Sequence, residues 1–492
     1  MQTFLSRAPS SSPTTSPLTL ERPAQRRFPR APLAFVLVAS GLVSLGAVGL
    51  LSSLSGCSGG TSAMGSCRTV LNCKDDGAPI CDAASLACRA CQPGSDDTAC
   101  RNRNPATPIC GPAGRCVGCS GNSDCSDLRN PVCTASKACG PCQRSSDCLS
   151  GICSADGSCA PSSDVLYVNN KASCSASPRG SKDDPFCTIK EAVDAANAMS
   201  KSFISVEASG TPYPPLMVTA VASTNGLRIV GTSSGSGPSV VLHSATTEPA
   251  LRIEATTATN LKLTVSGLDL DSASGNAVEC LGNSTLGNAS LTVESSRLHN
   301  SIEGLTASGC KITVDGARIY LNRRNGINLS NGSEYNIQNT MIWRNDVSGI
   351  ALANSTGVLR FLTIYSNGTA SGDRSPGIDC GAGNNPVEHS LVFSNISNLT
   401  PELINQQLVG CMTTNVLTND SRNGTYRQMV PDFISASGSD PSRFDLRLKS
   451  DSSTNTDCCI DKVPTGNYIN HDIDGNKRPL GTASDIGAHE AR

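Results

Sequence analysis

Asp269 and Asp271 stand one residue apart in the run Leu268-Asp269-Leu270-Asp271. On a strand their carboxylates share one face about 7 Å apart, which suits general acid–base work or an oxygen-ligated cation. A second pair, Asp472 and Asp474 beside His471, offers the oxygen donors that calcium takes. The plainer readings are a solvated strand face for the first pair and a polar end cap for the second. The five histidines, His243, His299, His389, His471 and His489, form no cluster along the chain.

The elements that must carry these residues are announced by a repeat. Ile319-Tyr320-Leu321-Asn322, Ile342-Trp343-Arg344-Asn345, Ile364-Tyr365-Ser366-Asn367 and Val392-Phe393-Ser394-Asn395 are one phrase, with Arg297-Leu298-His299-Asn300 as a degenerate copy. The asparagines are 22, 23, 22 and 28 residues apart, and Gly304-Leu305, Gly326-Ile327, Gly349-Ile350 and Gly377-Ile378 follow them. A period of this length without helical spacing predicts a solenoid of stacked β rungs about 4.8 Å apart. Each bend leaves backbone groups unpaired inside, and a buried Asn can satisfy both donors and acceptors. Asn300, Asn322, Asn345, Asn367 and Asn395 are therefore expected to form a ladder. Leu298, Tyr320, Trp343, Tyr365 and Phe393 should stack as a second column, serving as packing or as a sugar-stacking platform.

Alignment on the Gly-Ile pairs places Arg252, Glu279, Thr306, Asn328, Ala351 and Asp379 in one outward column. Arg252, Glu279, Asn328 and Asp379 are its candidate binding residues. Glu279 and Asp379 are four rungs apart, about 19 Å, and glycoside hydrolysis needs carboxylates about 5 to 9.5 Å apart. They cannot be catalytic partners. Before the solenoid, Thr188 and Glu191 form a capping box for a helix to about Ala198, whose Ile189, Val193 and Ala196 would cover the solenoid's open end.

Sixteen of the 25 cysteines crowd into positions 67–159 in four units of four, opening at Cys67, Cys91, Cys119 and Cys142. The units lack histidine and have too few apolar side chains for a core, so disulfides rather than zinc must hold them, two per unit with the pairing open. Cys174 with Cys187, Cys280 with Cys310, and Cys380 with Cys411 are spaced to close a loop and to staple neighbouring rungs. Cys458 and Cys459 form a vicinal bridge or find two outside partners.

The leader, residues 1–56, has Arg22, Arg26, Arg27 and Arg30 before an apolar run from Ala34 to Leu51. This is the layout of an export signal. Leu54-Ser55-Gly56-Cys57 resembles a bacterial lipobox, which implies lipidation at Cys57 as the mature first residue; Ser58 after it implies the outer membrane or cell surface. The leader carries five basic and one acidic residue, so the rest of the chain holds 34 basic and 40 acidic side chains, a balance that does not suggest nucleic-acid binding.

The organisation is thus a leader, a lipidated linker at 57–66, a cysteine-rich region at 67–160 and a β-helix at 165–492. The cysteine units resemble cysteine-rich repeats of secreted bacterial proteins. The opening, Leu166-Tyr167-Val168 with Asp184-Pro185-Phe186-Cys187-Thr188-Ile189, and the tail, Asp472-Ile473-Asp474-Gly475-Asn476 with Asp485-Ile486-Gly487-Ala488-His489-Glu490, resemble the pectin-lyase-like superfamily. The resemblance implies a mainly β fold, a right-handed parallel β-helix with an N-terminal capping helix. It also implies polysaccharide as a ligand class: binding or adhesion is the first expectation, a polysaccharide lyase or glycosidase the second, a structural envelope protein the third. No cofactor is expected unless calcium is bound. Replacing Cys57 by Ser is expected to release the protein from the membrane fraction or leave it unprocessed, and unchanged mass and partitioning would refute lipidation.

Overall fold

The computed structural model describes residues 67–119, 121–154, 156–171, 174, 177–232, 240–256, 260–282, 289–368, 376–383, 385–395, 407–420, 425–426, 430–464, 466 and 469–491. The leader, the linker and Cys57 lie outside the described residues. From Val165 onward the chain winds through three parallel sheets. The first carries Phe203–Glu207, Leu227–Thr232, Leu261–Ser266, Ala289–Glu294 and Lys311–Asp315. The second carries Val240–Ser244, Leu268–Ser272, Arg297–His299, Arg318–Tyr320 and Leu391–Phe393, and the long strands Glu334–Trp343 and Thr356–Tyr365 run across both. The third is eight-stranded, from Leu216–Val218 to Leu408–Val409. Alternate residues point inward, so Leu251 and Ile253, Val278 and Cys280, Leu305 and Ala307, and Ile327 and Leu329 fill one continuous apolar core. This is the parallel β-helix that the repeat predicts.

The corner between the second and third sheets turns through a left-handed residue in each rung: Leu321, Arg344, Ser366 and Ser394 have φ between 54 and 56°. Behind them runs the predicted ladder. Asn322 Nδ2 donates to Asn345 Oδ1 at 2.8 Å, Asn345 to Asn367 at 2.8 Å and Asn367 to Asn395 at 2.8 Å. The same oxygens accept the backbone N–H of the preceding rung's asparagine at 3.0–3.1 Å. Gln407 prolongs the ladder, accepting from Asn395 Nδ2 at 2.7 Å.

Asn300 is not a member. It is exposed and itself holds the left-handed position, with φ 52°, and the ladder place belongs to Ser301, whose N–H reaches Asn322 Oδ1 at 3.1 Å. The degenerate copy is therefore offset by one. His299 pairs with Tyr320 and Leu298 with Ile319, so the outer aromatic column begins with His299 rather than Leu298.

The N-terminal opening is covered as expected by the helix Ile189–Met199, whose Thr188 and Glu191 make the capping box. Its Ile189, Ala192, Val193 and Ala196 are buried in the solenoid core. In every cysteine unit the first cysteine pairs with the third and the second with the fourth, as in Cys67–Cys81 and Cys73–Cys88. Units are also tied to one another through backbone, by Cys139 N–H to Ala106 O and Cys159 N–H to Leu128 O. The fourth docks on the first sheet: Ile152, 0% exposed, packs with Ala160, Val165 and Val230. Cys174–Cys187, Cys280–Cys310, Cys380–Cys411 and the vicinal Cys458–Cys459 complete the disulfides.

The tail departs from the expectation of an end cap. Phe433–Ser435 and Asp445–Leu448 form an antiparallel pair that, with residues to Ala488, lies over the outer face of the second sheet. Phe433, Phe444, Leu446, Ile473 and Ile486 bury Tyr320, Met341, Trp343, Phe361 and Phe393 in a second core. Trp343, the only tryptophan, donates its indole N–H to Pro441 O at 2.9 Å. Tail and rung need each other here because each exposes an apolar face alone.

Asn345→Leu should leave the Asn322 backbone N–H without its acceptor and remove one bond each from Asn322 Nδ2, Asn367 Oδ1 and the Ile319 carbonyl, at about 1–3 kcal/mol for each group left unsatisfied. Asn300→Gly keeps the left-handed turn and should be nearly neutral. Equal melting temperatures for the two variants would overturn the ladder.

Candidate ligand-binding face

The outward column of the third sheet is in the register that the Gly-Ile pairs predict: Arg252 opposite Glu279, then Thr306, Asn328, Ala351 and Asp379. All six are partly exposed. Arg252 bridges Glu254 at 3.0 Å and Glu279 at 3.3 Å, pairs that contribute little to stability in reach of water. Asp379 Oδ1 accepts the Gly381 N–H at 2.9 Å, fixing the turn after its strand. Asn328 donates to Glu303 Oε1 at 3.4 Å.

Asp269 and Asp271 share the outer face of the second sheet, but each is already engaged by side chains of a neighbouring rung. Asp271 meets His243 Nδ1 at 2.8 Å, and Asp269 meets His299 Nε2 and, at 3.6 Å, Arg297. Two of the histidines thus converge on this pair, though 28 and 30 residues separate them from their partners. The aromatic column beyond them is not a sugar platform. His299 stacks on Tyr320 at 5.0 Å and Tyr320 on Trp343 at 4.5 Å, nearly parallel. The rings spend their faces on one another, and Tyr320 and Trp343 are 6% and 2% exposed beneath the tail.

Asp472 does not fit a cation. It is buried, and its two oxygens already accept the N–H groups of Asp474, Asn476 and Glu490 and the Asn476 amide at 2.7–3.1 Å. Asp474 pairs with Arg318 at 2.6 Å and Arg447 at 3.6 Å. Asp472 thus organises the turns of the tail itself, and Asp474, through Arg318, fastens the tail to the solenoid flank rather than capping its end. Among the described residues, the groups converging as metal donors are cysteines already in disulfides.

The tail is held by titratable groups. The hydrogen bond from His471 to Asp315, at 3.1 Å, raises the imidazole pKa against its burial. Burial acts to raise Asp315, but His471, Gln338 and Asn339 outweigh it and hold the carboxyl below its ordinary range. Arg478 is buried against Glu490 at 2.6 Å, and burial raises Asp485 to about 7 and Glu490 above its ordinary value.

Sequence reasoning missed Glu303. It belongs to a second ladder at the same corner: Glu303 N–H donates to Asn276 Oδ1 at 3.3 Å, Asn325 N–H to Glu303 Oε2 at 2.8 Å, and Ser348 N–H to Asn325 Oδ1 at 3.0 Å. Burial raises the Glu303 pKa, partly offset by Asn325, Arg324 and Asn328. The signal was the polar residue before each Gly-Leu or Gly-Ile pair in Glu303-Gly304, Asn325-Gly326 and Ser348-Gly349.

Residues 252–416 match the family model described as the right-handed β-helix region. The fold class is accordingly a right-handed parallel β-helix. No curated protein matches the chain. Among solved structures, a pectate lyase is 14% identical over 67% of this chain and 96% of its own, with a TM-score of 0.36. A rhamnogalacturonan lyase is 14% identical over 56% and 91%, with a TM-score of 0.28. The A-module of a mannuronan C-5 epimerase from Azotobacter vinelandii is 12% identical over 50% and 92%, with a TM-score of 0.21.

A histidine raised by its partner loses its contribution as pH rises through the raised value, and Asp485 and Glu490, raised by burial, lose theirs in the same direction. Asp315, held low, stays ionised throughout. The melting of the tail, followed by Trp343 fluorescence, is expected to fall in temperature from about pH 6 to about pH 8, and less steeply in His471→Gln. A flat profile would remove these groups from the account.

Proposed function

We propose that this chain is exported, tethered by lipid at Cys57 to the outer membrane or cell surface, and displays a β-helix that binds an extended polysaccharide without cleaving it. The observation that carries the binding reading is the division of the outer faces. The first sheet is occupied near its start by the fourth cysteine unit and the second is roofed from Tyr320 onward. The third keeps its outward residues partly exposed from Arg252 to Val409. Its Arg252, Glu279, Thr306 and Asn328 offer hydrogen-bonding groups at every rung of about 4.8 Å, a step comparable to the advance of one sugar in an extended chain. Twelve disulfides suit an oxidising compartment outside the cytoplasm.

A lyase or glycosidase is the second reading, supported by the two His–Asp pairs at His243, Asp271, His299 and Asp269. Against hydrolysis on the third sheet stands the four-rung gap between Glu279 and Asp379. Affinity electrophoresis of the mature chain through soluble α-glucan, β-glucan, mannan and polygalacturonate is expected to show retardation by at least one polymer. Parallel assays for unsaturated products and new reducing ends should stay at background. Release of either product would replace binding by catalysis, and free migration through every gel would remove the binding reading.

A further inference from the structure

We infer that Glu303 anchors a hydroxyl-recognition subsite in the middle of the third-sheet face, and that the polysaccharide it selects is neutral. The inference rests on the binding reading above and gives it a centre and a ligand class.

Glu303 occupies the turn that leads into Leu305–Ser308 and is 4% exposed. One of its oxygens does structural work: Oε2 takes the Asn325 N–H at 2.8 Å. The neighbouring rungs give that task to neutral amides, Asn276 accepting from Glu303 N–H and Asn325 from Ser348 N–H. A carboxylate is therefore surplus to the ladder, and burying its charge is unfavourable unless strong donors meet it. Such donors do not meet the other oxygen. Oε1 has Asn325 Nδ2 at 3.4 Å, Asn328 Nδ2 at 3.4 Å and Arg324 Nε at 3.6 Å, all at or beyond the long limit of a hydrogen bond whose usual length is about 2.9 Å. Two of these three groups lead outward. Asn328 belongs to the exposed column, and the Arg324 side chain is 64% exposed.

A sugar hydroxyl laid along the column beside Asn328 supplies what Oε1 lacks. An O–H donor to a carboxylate makes a short, charge-assisted bond, and Asn328 is placed to bond the same hydroxyl or its neighbour. The charge around it fixes the class of polymer. Glu254, Glu279, Glu303 and Asp379 outnumber Arg252 and Arg324 on this face, so a polyuronate is repelled and a neutral chain is not.

The test compares the full mature chain with Glu303→Gln and Asn328→Ala by affinity electrophoresis in α-glucan, β-glucan, mannan and polygalacturonate, with melting temperatures alongside. Glutamine keeps the ladder acceptor and removes the charge, so Glu303→Gln should melt no lower than the wild type and yet bind neutral polymer about 10- to 100-fold more weakly. Asn328→Ala, which leaves the ladder intact, should weaken binding in the same polymer. Unchanged affinity in Glu303→Gln while the wild type binds neutral polymer would make Glu303 purely structural and overturn the inference with the binding reading intact. Retention by polygalacturonate alone would overturn the ligand class. A wild type retained by none of the four polymers would take down the binding reading and this inference with it.

Discussion

The corner between the second and third sheets is the constraint on which the rest depends. A rung can turn there only if its left-handed residue, its buried asparagine and its glycine all fit at once. Without a side chain, Gly326 lets its rung approach the Gly349 carbonyl and the Asn345 amide; an added methyl would stand 2.6 and 3.0 Å from them. Gly349 stands in the same relation to Gly377 and Asn367. The ladder and the glycine column are therefore one device, in which the amide chain occupies the space that the missing side chains leave. Because hydrogen bonds of the asparagine ladder point one way along the stack and those through Asn276, Glu303 and Asn325 point the other, the turn is pinned on both sides.

With the corner fixed, the three outer faces are free to differ, and they do. The second sheet carries polar pairs at Asp269 and Asp271 and then, within two rungs, becomes an aromatic wall beneath the tail. The first receives the last cysteine unit through Ile152. The third remains largely polar and partly exposed. The two added segments are not appendages hung on a finished solenoid, since each removes apolar surface that the rungs could not leave in water.

Much of this was written in the sequence wherever one residue type repeats at one structural position. The ladder from Asn322 to Asn395 was legible because one residue type recurs at one position, and the column from Arg252 to Asp379 because the Gly-Ile pairs beside it fix the register. Asn300 misled for a physical reason: asparagine suits both a ladder and a left-handed turn, and Ser301 does the ladder's work with a different side chain. The His243–Asp271 and His299–Asp269 pairs were hidden because they join adjacent rungs far apart in sequence, and only His299 falls in a copy of the repeated phrase. The place of the tail was illegible too, since the period stops and nothing in Asp472 or Asp474 says whether they bind a cation, close an end or grip a flank. Cysteine pairing within the units needed geometry, because spacing alone permits three patterns.

The grip of the tail on the flank has a temporal side. Arg318 meets Asp474 and Asp315 meets His471 across 156 residues of sequence, so these contacts form among the last in any chain that emerges from its N-terminus, whether from a ribosome or through a membrane. Rungs can template one another as they appear, each needing only its predecessor. The aromatic wall at Tyr320, Trp343 and Phe393 cannot, and it stays bare until residues 433–488 arrive. A chain interrupted before that point is a complete solenoid with an adhesive side, the kind of surface that invites chaperone capture or self-association.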